Sequence, residues 1–130
     1  MTTVRAALAE AIAAEVNPTW PQVQVYAHPE DVTQLPALVL VPDDMWAEPG
    51  TFGGGGQVVR WQFQLTIAGH RAAVESTMEM IEALRPLVVQ GIGTLGGRWL
   101  NLTKPDTLEL AGAQALASFM GIELLTERQT

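Results

Sequence analysis

Residues 58–69, VVRWQFQLTIAG, alternate over an unusual length: Trp61, Phe63, Leu65 and Ile67 point one way, and Arg60, Gln62, Gln64 and Thr66 the other. A period of two predicts a half-buried strand. At ~3.3 Å per residue it spans roughly 35 Å, about twice a typical strand. So small a chain does not need that length internally, so the expectation is a scaffold that presents a strand and a loop to partners.

The remaining pattern fills in a small domain. Val4, Leu8, Ala11, Ile12 and Val16 recur at three- and four-residue steps, predicting a helix over residues 3–16 with Thr2 or Thr3 as cap and Asn17-Pro18 as its end. Residues 22–26 predict a short strand with Val23 and Val25 inward. Residues 38–41, between Pro36 and Pro42, form an apolar run that suits a central strand. Residues 43–57 predict a loop, the tip of a long hairpin, because Gly53, Gly54, Gly55 and Gly56 are conformationally loose. A second helix is expected over residues 71–84, with Val74, Met78, Ile81 and Leu84 on its apolar stripe and Pro86 ending or kinking it. Then come a turn at 91–97, a strand at 98–102, a turn at 104–106 and a last strand at 115–126. The order αβββαββ predicts an α+β fold: a mainly antiparallel sheet, a long β-hairpin and two helices packed on one face.

The chain has 130 residues, the size of one domain, and no cysteine, which excludes disulfides and thiolate zinc sites. Seven Lys and Arg against fourteen Asp and Glu give a formal charge of -7, a surface that repels phosphate backbones. Specific duplex binding is therefore disfavoured, although nucleic acid can pass by. Charged residues make up only 16% and hydrophobic ones 48%. That balance fits either extra apolar surface covered by a neighbouring subunit or ordinary burial in an alanine-rich chain. The first sixteen residues lack the form of a signal peptide, and no window reaches the ~20 apolar residues of a membrane span, so no membrane association is expected and synthesis in the cytoplasm is.

Candidate chemistry is sparse. GIGTLG, residues 91–96, has the letters of the dinucleotide fingerprint, but a helix leads in and a strand leads out, the reverse of the context in which the motif binds a pyrophosphate. The glycine tract lacks the Gly-Lys-Ser/Thr ending of a phosphate-binding loop. His28 and His70 are the only histidines, each at an element boundary; Asp43, Asp44 and Glu48 could offer oxygens to a cation but lack EF-hand spacing. Ser76 and Ser118 have neither an elbow motif nor an adjacent base. No catalytic residue, metal ligand or cofactor site is assigned. Trp46, Phe52 and Arg60 are the residue types that dominate interfaces. The candidate subunit or tube interface is Trp46, Phe52, Gly53, Gly54, Gly55, Gly56, Arg60, Gln62 and Gln64.

The AALAEAIAA helix, the LPALVLVPDD strand, the hairpin ending in VVRWQFQLTIAGH, the VESTMEMIEAL helix and the FMGIELLTE strand together resemble tail terminator proteins of long-tailed, siphovirus-type bacteriophages. The resemblance covers almost the whole chain through the order and flavour of its elements. It implies a non-enzymatic virion protein that caps the head-proximal end of the tail tube as a hexameric ring. Its implied partners are itself, the tail tube protein and a neck or head-completion protein, with DNA passing through the lumen unbound. Two other classes remain open: another head–tail connector, such as a head-closure or neck protein, and more distantly a small α+β ligand-binding dimer or enzyme.

Overall fold

The computed structural model describes residues 3–28, 34–49, 58–110 and 112–127. The order is α1 (Val4–Val16), β1 (Gln24–Tyr26), β2 (Ala37–Pro49), β3 (Val58–His70), α2 (Val74–Gly93), β4 (Arg98–Leu102), β5 (Asp106–Leu110) and β6 (Ala113–Glu127). This is the expected α+β fold, with one strand more than the sequence reading gave. The sheet runs β1-β2-β3-β6-β4, with β5 also on β6. Only the β1–β2 pairing is parallel among those described.

The central ladder joins β3 to β6, antiparallel and in register at all 13 residues of β3. Their matched alternation fixes that register: Phe63 faces Ile122, Leu65 faces Met120 and Ile67 faces Ser118. A slip by one residue would turn every one of these side chains to the other face. Both helices cover this face. Leu8, Ile12 and Val16 of α1 and Met80, Ile81, Leu84, Val88 and Ile92 of α2 form one core with Leu38, Leu40, Phe63, Leu65, Ile67, Met120 and Ile122. Thr3 caps α1, its Oγ1 accepting from the Ala6 N–H at 3.0 Å. Gly91 lets the helices meet: a Cβ there would lie 2.9 Å from the Ala11 carbonyl oxygen and 3.0 Å from Ile12 Cα, backbone that cannot step aside.

Four expectations are corrected. The loop expected from residue 43 is strand as far as Pro49, because β2 resumes pairing with β3 after an irregularity. Pro86 does not end α2, which continues to Gly93; Pro86 is exposed, so the hydrogen bond it deletes falls where water can replace it. The apolar stripe of α2 is also rotated. Val74 and Met78 are 50% and 43% exposed, while Thr77 is buried and its Oγ1 donates to the His70 carbonyl at 3.2 Å. Finally, residues 104–106 do not simply turn the chain: β4 and β5 lie end to end along the same edge of β6, opposite residues 120–123 and 113–117. Thr103 joins them, its N–H donating to Phe119 O at 2.9 Å and its Oγ1 accepting from Phe119 N at 3.0 Å.

The opposite face of the sheet is dry at one end. Ala37 and Val39 pack with Leu35 and Leu110, and Ala68, Ala115 and Ala117 pack with the same two leucines and Leu108. β2 and β5 are separated in the sheet by β3 and β6, so Leu110 reaches both clusters only because the sheet curls toward this face.

Candidate functional site

The site lies at the other end of the long ladder, where β2 departs from regular pairing. Pro42 pairs with Phe63 and Ala47 with Trp61. Five steps on β2 therefore match two on β3, a bulge of three extra residues that frees the backbone to re-aim a side chain. Trp46 is the last residue of that bulge. It is 43% exposed and meets Trp61 edge to face, with ring centroids 5.8 Å apart and planes at 64°. Trp61 is itself fixed: it packs on the edge of the helix-side core, and its Nε1 donates to Thr126 Oγ1 at 2.8 Å.

The start of α1 closes the site. Thr3, Val4, Arg5, Trp46 and Trp61 line a cavity of about 340 Å³. Arg5 is half-buried, and its Nε is buried with no hydrogen-bond partner among the described residues. That distinguishes it from the other described arginines. Arg71 donates to Gln114 Oε1 at 3.1 Å, Arg98 pairs with Glu123 at 3.4 Å, Arg85 stacks over the Trp99 ring at 5.3 Å, and Arg60 is not free. A buried donor without an acceptor is costly, on the order of 1–3 kcal/mol. Two indole walls and a guanidinium suit an apolar group that carries a carboxylate.

The sequence-selected residues separate into three groups. Trp46 is at the site and exposed. Arg60, Gln62 and Gln64 stand on the face of β3 opposite Trp61; Arg60 and Gln62 are half-buried and neither is free, while Gln64 is exposed. Phe52, Gly53, Gly54, Gly55 and Gly56 lie outside the described residues. Arg5, Val4 and Trp61 were not selected. Periodicity placed Arg5 off the apolar stripe and Trp61 in the core, and nothing local in the sequence shows that the bulge brings Trp46 beside both.

Elsewhere the chemistry is thin. A hollow of about 330 Å³ between α2 and the β4–β5 junction has Ser118 in its lining, but Ser118 is fully buried and its hydroxyl has no partner among the described residues. Ser76 is exposed on α2. His28 follows the edge strand β1 while His70 ends β3, two strands further in, and among the described residues no three metal-ligating side chains converge. Gly91 and Gly93 belong to the last turn of α2, and Gly96 makes the turn that follows with φ +79°, so the GIGTLG segment connects a helix to a strand. No helix among the described residues is long and apolar enough to cross a membrane.

These features define a small α+β domain with an aromatic, cationic pocket at one end of its longest strands. No family model matches the chain, and no curated protein matches it.

Proposed function

We propose that this chain is a non-enzymatic structural subunit of the tail terminator kind. In this reading it caps the head-proximal end of a phage tail tube as a hexameric ring, ends tube polymerisation and offers a surface for head or neck joining. It is made in the host cytoplasm and resides in the virion. The observation that carries the reading is the long β3–β6 ladder, which continues three residues beyond Trp61, where the start of α1 and an exposed Trp46 meet it. A sheet that runs on past the start of α1 and carries an exposed aromatic on the way suits contact with other subunits better than it suits an enclosed active site. The net charge of -7 supports passage of DNA through a ring without adhesion.

The test combines native mass spectrometry with tube assembly. A six-subunit species, or a monomer that becomes a ring on tail tubes, is expected, and tubes capped with the protein should stop growing. Uncapped growth at saturating protein would overturn the reading. A second reading, a small ligand-binding dimer, draws on the cavity of about 340 Å³, which is within the range of small-molecule sites. A dimer that is stable across dilution and binds no tubes would favour it. Another head–tail connector would show the ring but bind portal or neck components in place of tubes.

A further inference from the structure

We infer that the Arg5–Trp46–Trp61 pocket of one copy receives the exposed first turns of α2 from a second copy, in a head-to-tail contact. The inference deepens the self-assembly reading above and rests on it. α2 begins with an unusual surface: Val74 and Met78 are 50% and 43% exposed, four residues apart and therefore on one side of the helix. Glu75 and Glu79, both exposed, form the adjoining row at the same spacing. This is an apolar ridge flanked by carboxylates. The pocket has the complementary character, apolar walls beside the half-buried, cationic Arg5.

Charge and position both favour a second copy as the occupant. Fourteen acidic residues against seven basic ones mean that copies of this chain repel one another unless a contact sets a cation against a carboxylate. Arg5 lines the pocket and supplies that cation. The two surfaces cannot meet within one chain. Trp61 lies near the start of β3, whereas α2 begins just beyond the end of β3 at His70, and at ~3.3 Å per residue the two are separated by roughly 30 Å. Two different surfaces at opposite ends of a subunit make a heterologous contact, which propagates from copy to copy and closes when the rotation allows.

The experiment uses the full chain and reads assembly by native mass spectrometry, with thermal melts as a folding control. Arg5→Glu alone, and Glu75→Lys with Glu79→Lys alone, should each lose the assembled species, because each sets like charges across the contact. An equimolar mixture of the two should assemble again with alternating composition, since every contact then joins opposite charges. Val74→Ser with Met78→Ser, at side chains already exposed, should weaken assembly at least ~10-fold without moving the melt. If the wild type assembles and all these variants assemble equally well, the contact is wrong while the ring reading stands. If the mixture rescues assembly but the rings fail to cap tubes, the contact stands and the terminator reading falls. A wild type that remains monomeric at all concentrations and on tubes overturns both.

Discussion

On the helix-covered face the sheet buries Leu38, Leu40, Phe63, Leu65, Ile67, Met120 and Ile122; on the opposite face it buries Ala37, Val39, Thr66, Ala68, Ala115 and Ala117. Large side chains stand far enough from the backbone to need a second layer, and α1 and α2 supply it. Small ones are excluded from water by curvature, with Leu35, Leu108 and Leu110 drawn across them. The two faces therefore fail differently. The first is sensitive to lost volume and the second to added volume.

The largest effect is expected where volume is lost beneath the helices. Phe63→Ala should cost ~3–5 kcal/mol, read by urea denaturation, because Phe63 is fully buried among rigid neighbours. On the curled face the sharper test runs the other way. Ala68→Leu should destabilise by ~1–3 kcal/mol by pushing Leu35, Leu108 and Leu110 aside, even though it adds apolar surface. If Ala68→Leu were neutral, this face would hold spare space and the curl would not be what dries it. Trp61→Ala sits at the margin of the helix-covered face. Half-buried and wet at one edge, it should cost about 2 kcal/mol, less than a fully buried aromatic, and the loss should include its bond to Thr126. Gln64→Ala, exposed on the opposite face beyond the alanines, should change the melt by less than ~0.5 kcal/mol and show that this part of the face is open.

The helix-covered face was legible in the sequence because its spacing is undisturbed. Phe63, Leu65 and Ile67 keep a period of two, Leu8, Ile12 and Val16 a helical one, and both groups are buried as that spacing predicts. At the start of α2 the apolar residues do not mark the buried side. Thr77 turns inward by bonding the His70 carbonyl, close against Gly69, where a Cβ would meet its Oγ1 at 2.6 Å, and Val74 and Met78 are left outside. β5 was hidden by Pro105 beside Asp106, a turn signal that here only interrupts an edge. The pocket was the least legible part. Arg5, Trp46 and Trp61 are joined by a bulge, and a bulge follows from how two strands pair, which no single strand reveals.

That bulge acts as a change of phase. Before it, the even-numbered residues of β2 share the helix-side face: Leu38 lies opposite Ile67, Leu40 opposite Leu65 and Pro42 opposite Phe63. After it the odd-numbered Ala47 stands opposite Trp61, and the parity has reversed. An odd number of extra residues is what reverses it. Removing residues 43–45 would bring Trp46 opposite Gln62 and turn it to the face away from Trp61, although no residue that lines the pocket is deleted. Removing two residues would shorten the strand and keep its sides. At this point in the chain the count of residues, more than their identity, decides which surface the protein offers.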